Sequence, residues 1–249
     1  HIRKDWPELI PILNKAIAAL QQDELPRLIN KWFDKWPRSS RPISISLTPE
    51  EQAWLDKKHK VRVSVGEYPP FIFMNEGKEP SGITIDYFNL IAKRTGIKFK
   101  YHISKIPWPE KLKHMQNRAP QGPDLITSMT IAPNRGETIS FSRNYDAYPR
   151  VIIAREDEQF ISGMDDLFGK TIAVERGSVL HEQIKRRYPD LNLLPFDSHV
   201  EVLEEVATGK VDAYIGNLAV ASYIIMKEGY ANLKVAAPTP FGNHLLAFG

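Results

Sequence analysis

Apolar positions change period once along this chain, near residue 60. Before that point they recur at helical spacing: Trp6, Leu9, Ile10, Leu13, Ile17 and Leu20 share one face, which predicts a helix over residues 6–20 with that face buried. Asp5-Trp6-Pro7-Glu8 supplies its start, with an N-cap residue, a first-turn proline and an acid three positions after the cap. Leu25, Leu28, Ile29, Trp32, Phe33 and Trp36 predict a second amphipathic helix, and aromatics at that spacing belong to a core far more often than to a binding platform. Residues 37–46, PRSSRPISIS, read as a linker, and Thr48-Pro49-Glu50-Glu51 as a capping box opening a short helix through Trp54 and Leu55.

From Val61 onward short apolar runs alternate with amphipathic stretches. Val61, Val63 and Val65 predict a strand, Asp86 to Thr95 a helix closed by Gly96, Ile97 to Ile103 a strand, Trp108-Pro109 a helix start, and Leu125-Ile126 a buried strand. Residues 145–154 read as an extended crossover into a second unit. That unit has strands at 170–174, 191–196, 211–216 and 233–236, with helices after Ser178, after Ser198 and over 218–227. Strands separated by helices imply mostly parallel sheets covered on both faces, and two such units place their strand ends toward a shared ligand cleft.

Composition changes little in this picture. The 249 residues suffice for two lobes, and 42% hydrophobic with 25% charged is ordinary for a globular protein. A formal charge of +3, with lysine and arginine scattered, argues against nucleic acid, and Lys185-Arg186-Arg187 reads as a solvated helix face. Cysteine is absent, which removes disulfides and thiolate metal sites. No apolar run approaches the ~20 residues of a membrane helix. The seven histidines stand apart without ligand spacing, and HExxH, P-loop, GxSxG and GxGxxG motifs are missing. No metal, cofactor or catalytic nucleophile is expected.

The stretch from Gly122 to Ser142, GPDLITSMTIAPNRGETISFS, is the most informative for binding. Leu125-Ile126 ends in small and polar residues, and Ala132-Pro133-Asn134-Arg135 begins what reads as a helical turn. A strand feeding a helix start leaves backbone N–H groups that favour an anion, and an arginine one turn on can grip a carboxylate with two parallel bonds. On spacing alone, an ordinary strand–loop–helix with a solvated arginine is the commoner meaning of such a stretch.

Tyr68-Pro69-Pro70-Phe71, Gly82 with Asp86, Asp124 through Arg135 and Phe141-Ser142 resemble the first lobe of the bacterial family 3 extracellular solute-binding proteins. Asp166 through Lys170, Gly177-Ser178 and Gly209 through Ala213 resemble its second lobe, in order and at family spacing over residues 60–249. Residues 212–223 are similar to the periplasmic Venus flytrap domains of BvgS-type sensor histidine kinases. The resemblance implies an α/β, two-lobed periplasmic-binding-protein type 2 fold with mixed, mostly parallel sheets and a ligand cleft between the lobes. Expected boundaries are residues 47–148 and 237–249 for lobe 1 and 149–236 for lobe 2.

Family members return to lobe 1 at their C-terminus in a phrase like the one that here stands at Ile2 to Leu9. Residues 1–46 are therefore expected to be the closing helices of a preceding flytrap repeat plus linker. They would pack on lobe 1 from the same chain, or from a partner through a segment swap of residues 1–36.

Position by position, the resemblance makes Tyr68 and Trp108 the aromatics over the ligand. Met129 and Thr130 line the site, Arg135 is the carboxylate clamp, and Gly177 and Ser178 supply the second-lobe backbone contact. Asn217 replaces the aspartate that usually holds the ligand's ammonium. Ala132 and Ser128 replace a usual threonine and glycine. The function implied is a periplasmic sensor domain for a small carboxylate-bearing solute, an amino acid being one candidate, non-enzymatic in itself and joined to a membrane through a longer histidine kinase. The alternatives are an ABC-transporter receptor and a cyclohexadienyl-dehydratase-like enzyme, for which Glu67 or Glu175 would have to act as the acid.

Overall fold

The computed structural model describes residues 6–23, 45–57, 60–74, 79–103, 109–111, 113, 122–132 and 139–249. The expected cap at Asp5, the second amphipathic helix and residues 37–44 of the linker lie outside them. Two compact units emerge. The first comprises residues 1–105, 113–146 and 245–249, and the second residues 106–112 and 147–244.

Unit 1 begins with α1 (Leu9–Asp23) and α2 (Pro49–Asp56). The buried stripe of α1 is Leu9, Ile12, Leu13, Ala16, Ile17 and Leu20. Ile12 thus takes the inward place expected of Ile10, which is half-buried at the margin. In α2 the capping box is complete. Thr48 Oγ1 accepts from the Glu51 N–H, and Glu51 Oε2 accepts from the Thr48 N–H at 2.8 Å and pairs with Lys15 Nζ at 2.6 Å. The Trp6 and Trp54 rings meet edge-on at 5.5 Å.

The sheet of unit 1 is parallel, built from β1 (Lys60–Val65), β2 (Lys98–Ile103) and β3 (Leu125–Ile126) in the order β2-β1-β3. The helix α3 (Ile83–Thr95) crosses between β1 and β2 and is closed by Gly96 in the left-handed region. It packs against both β2 and α1, burying Ile83, Ile85, Tyr87, Phe88 and Ile91. Phe248 completes this core, its ring 4.7 Å from Phe88 and stacked at 4.5 Å on Tyr145.

The second sheet has the order β4-β9-β5-β8-β6-β7. Its strands are β4 (Met129–Thr130), β5 (Asp146–Arg155), β6 (Thr171–Glu175), β7 (Asn192–Phe196), β8 (Ala213–Asn217) and β9 (Leu233–Ala247). β6 runs parallel to β7 and β8, while β5 lies antiparallel to β8 and β4 to β9. Helices α4 (Val179–Arg187), α5 (His199–Ala207) and α6 (Leu218–Glu228) follow β6, β7 and β8. Ile152, Ile172, Val174, Leu180, Ile184 and Ile215 form the core of unit 2.

Unit boundaries differ from the sequence expectation in three places, since residues 106–112, 147–148 and 237–244 all fall in unit 2. Residues 237–244 belong to unit 2, because β9 continues as one strand to Ala247 instead of ending at Ala236. Pro238, Pro240 and Gly242 lie within this strand, and β4 pairs with its Leu246 and Ala247.

Candidate functional site

In unit 1, β1 ends in a tight turn. The Tyr68 N–H donates to Ile72 O at 3.0 Å, and the Phe71 and Ile72 N–H groups donate back to Tyr68 O. The turn contains a cis Pro69–Pro70 peptide, and the Tyr68 and Phe71 rings stack at 5.2 Å. The start of α3 sits directly on this turn, with the Thr84 N–H donating to Phe71 O at 2.9 Å. Gly82 makes that approach possible: its φ is +118°, and a Cβ there would lie 2.5 Å from Phe71 O.

The segment after β3 turns sharply at Ser128, whose φ of +54° lies in the left-handed region. That conformation accounts for the glycine usual at this position. Here the serine hydroxyl joins two others. Ser128 Oγ lies 2.9 Å from Tyr145 Oη and 3.1 Å from Thr84 Oγ1, and Thr84 Oγ1 lies 3.0 Å from Tyr145 Oη. Burial drives the Tyr145 phenol far above its ordinary pKa, so it stays a neutral hydroxyl. Met129 follows with its side chain wholly buried, and Thr130 is half-buried and pairs with Leu246. Trp108 and Arg135 lie outside the described residues.

In unit 2, β6 runs into α4 through Glu175-Arg176-Gly177-Ser178. Gly177 has a φ of +65°, and a Cβ there would sit 2.9 Å from Pro109 Cγ. Ser178 caps α4, its hydroxyl accepting from the His181 N–H at 3.0 Å. The His181 ring turns back so that Nδ1 accepts from the Gly177 N–H at 3.2 Å. Serine followed three positions later by histidine thus caps the helix from both sides, but unlike a capping box the side chain reaches the N–H of Gly177, one residue before the cap. The Ser178 N–H donates to Glu175 O at 3.3 Å. Burial lowers the His181 pKa below its usual 6.5, with Lys185 and Arg176 acting in the same direction and Glu182 opposing. The spacing of Ser178 and His181 was the available signal for this contact, and reading His181 as an isolated histidine missed it.

Asn217 ends β8 and caps α6. Its Oδ1 accepts from the N–H groups of Ala219 and Val220, and its Nδ2 lies 3.1 Å from His244 Nδ1. Tyr214 folds over Gly216, where any Cβ would overlap its ring and hydroxyl. The two residues weighed as acids are both engaged: Glu67 Oε2 accepts from the Met74 N–H at 2.7 Å, and a Glu175 carboxylate oxygen is 3.7 Å from His199 Nε2. The basic end of α4, Lys185-Arg186-Arg187, is exposed, as expected of a solvated face. Arg186 and Arg187, with Gln183, Pro240 and Phe241, line a depression of about 460 Å³, and the Arg187 guanidinium lies 5.9 Å from the Phe241 ring. Among the described residues no group of three or more histidines and acids could hold a metal, and no helix is long and apolar enough to cross a membrane.

A parallel α/β unit, a second α/β unit on a mixed sheet, and two strands that each pass from one unit to the other define a periplasmic-binding-protein architecture of the Venus flytrap kind. Residues 61–229 match the family model for bacterial extracellular solute-binding proteins, family 3, and the chain belongs to that family. It is 27% identical over 239 residues to the virulence sensor protein BvgS of Bordetella bronchiseptica, a match covering 95% of this chain and 19% of that protein. The chain therefore spans about a fifth of that sensor's length. It is 29% identical over 185 residues to the ABC transporter arginine-binding protein 1 of Escherichia coli, covering 72% of each. Among solved structures, the periplasmic VFT2 domain of BvgS from Bordetella pertussis superposes with a TM-score of 0.72 at 25% identity, covering 82% of this chain and 85% of that one.

Proposed function

We propose that this chain is the extracytoplasmic ligand-sensing domain of a sensor histidine kinase, located in the periplasm and taking a small carboxylate-bearing solute. The observation that carries the reading is how far the sensor match extends. The family model starts at residue 61, whereas the match to BvgS covers 95% of the chain and so takes in most of residues 1–60. That portion includes α1, which lies against α2 and α3 in unit 1. Residues 1–46 are then the end of a preceding repeat, and α1 is where that repeat is joined to this one.

The proposed mechanism is a two-state hinge. A solute that touches both units only in the closed state biases closure by its difference in affinity between the two states. Arg135 holds the carboxylate in this reading, with Tyr68 and Trp108 as aromatic cover and Met129, Thr130, Gly177 and Ser178 along the walls. In the longer protein the movement is passed on to a kinase across the membrane.

A second reading, a solute receptor serving an ABC transporter, draws on the arginine-binding relative, which matches at 29% identity. A thermal-shift screen with amino acids and small carboxylates, on the wild type and on Arg135→Ala, tests the shared premise. Stabilisation of the wild type and its loss in the variant is the expected result. Equal stabilisation of both removes Arg135 as the clamp, and no stabilisation by any carboxylate defeats both readings.

A further inference from the structure

Helix α4 and strand β9 of unit 2 meet at a depression that the solute-binding reading does not use. Gln183, Arg186 and Arg187 line it from α4, and Pro240 and Phe241 from β9, around a volume of about 460 Å³. Small-molecule sites begin at about 300 Å³, so an organic molecule has room. The two walls share a buried tie. Arg150 is 5% exposed, and its Nη1 donates to Gln183 Oε1 at 3.0 Å and to Phe241 O at 3.1 Å.

A guanidinium only donates, so the oxygen of Gln183 must face Arg150 and the amide nitrogen lies at the other end. Among the described residues that nitrogen has no acceptor, and neither Arg186 nor Arg187 has a carboxylate within ion-pair reach. The Arg187 guanidinium lies instead 5.6 Å from the Tyr188 ring and 5.9 Å from the Phe241 ring. Glu182, one turn before Arg186, is exposed and makes no ion pair with it. Each polar side chain lining the depression therefore offers donors, and the two arginines are permanent cations.

Basic residues in the last turn of a helix are ordinary, because they offset the roughly half a negative charge at its C-terminus. Two full charges exceed that, and a macrodipole asks for no aromatic wall. Donors beside Phe241 and Pro240 suit an anion with an apolar body, and two guanidinium groups suit two negative charges. A planar ring can stack on Phe241 or on a flat guanidinium face.

We propose that the depression between α4 and β9 binds an organic dianion with a planar apolar body, an aryl dicarboxylate or an aryl phosphate ester. None of its residues is among those assigned to the solute, and the inference does not rest on that assignment.

Phthalate and phenyl phosphate are the probes, with inorganic phosphate lacking the ring and phenol lacking the charge. Each is titrated by calorimetry at about 0.15 M salt into the wild-type chain, Arg186→Ala/Arg187→Ala, Phe241→Ala and Arg135→Ala. Both arginines are exposed and make no hydrogen bond, so the double variant is expected to melt as the wild type does. At least one probe should bind the wild type more tightly than phosphate or phenol do. Its affinity should fall about tenfold or more for each arginine removed, the value of one charge-assisted bond, and stay unchanged in Arg135→Ala. Binding by phthalate alone or by phenyl phosphate alone supports the site and identifies the charged group it takes.

Binding by neither probe overturns the inference. So does affinity that survives in the double variant or disappears in Arg135→Ala alone. Phosphate binding as tightly as phenyl phosphate, or no loss in Phe241→Ala, overturns the ligand class, because the apolar wall would then contribute nothing.

Discussion

Arg62 and Asp124 are joined by four hydrogen bonds. Arg62 Nε and Nη2 donate to the two carboxylate oxygens at 3.0 and 2.7 Å, the Arg62 N–H adds a third bond at 2.9 Å, and the Asp124 N–H returns one to Arg62 O at 2.8 Å. The Asp124 side chain is 2% exposed. The pair ties the start of β1 to the residue just before β3, fixing the register from which Leu125 and Ile126 enter the core.

Removing Arg62 leaves the buried Asp124 carboxylate without its countercharge. Arg62→Ala is expected to cost about 3–5 kcal/mol in urea unfolding, and the double variant Arg62→Met/Asp124→Leu less than that single change implies. An Arg62→Ala cost below about 1 kcal/mol would show that the pair does not organise β3.

Much of this architecture can be read directly from residue order. The valine alternation of β1, the Thr48 capping box and the Gly96 terminus depend on local chemistry, and local chemistry is what a sequence exposes. The length of β9 was hidden because Pro238, Pro240 and Gly242 carry turn chemistry, yet all three lie inside the strand. The role of Asn217 was only half legible. Its departure from aspartate stood out by resemblance, but the partnership with His244 joins residues 27 positions apart and exists only in the folded chain. His199 was likewise grouped with the isolated histidines although Glu175 lies beside it.

The α1 helix lies outside the family segment yet buries a full apolar stripe. Leu13→Ala is expected to destabilise the chain by about 2–5 kcal/mol, as for any fully buried leucine. Lys15→Ala leaves the Glu51 carboxylate, whose side chain is 5% exposed, held by the Thr48 N–H without its countercharge, and should cost less than the leucine change, about 1–3 kcal/mol. Chemical denaturation of both variants checks the ranking, and a neutral Leu13→Ala would mean that α1 is an appendage.

Ser128 combines an unfavourable backbone conformation with a useful hydroxyl. Ser128→Ala keeps the first and loses the second, with an expected cost of about 1–3 kcal/mol. Ser128→Gly loses the hydroxyl but relieves the backbone, so it should be milder by about 1 kcal/mol. Thermal melts of the two variants decide this, and the reverse order would mean that the φ of +54° carries no strain.

His181 links stability to acidity. Its folded pKa lies below the ordinary 6.5 because the ring is partly buried, an effect that the positive charges of Lys185 and Arg176 reinforce and Glu182 opposes. Below pH 6.5 the unfolded chain binds a proton that the folded chain resists. The stabilisation is therefore complete above 6.5 and declines as pH falls through that value toward the folded pKa. His181→Gln should flatten the dependence of melting temperature on pH across that range. An unchanged slope would place the sensitivity elsewhere.

The hydroxyls of Thr84, Ser128 and Tyr145 have a collective property that none has alone. Each can give one hydrogen and take one, so the three close into a homodromic ring that requires no water and leaves no donor idle. The circuit can run in either sense at little cost, and each bond polarises the next. Deleting any one hydroxyl reduces three bonds to one. The second deletion then has much less left to remove, and the energies of the three side chains cannot be added. The polar interior behind Met129 and Thr130 is thermodynamically a single group distributed over three residues.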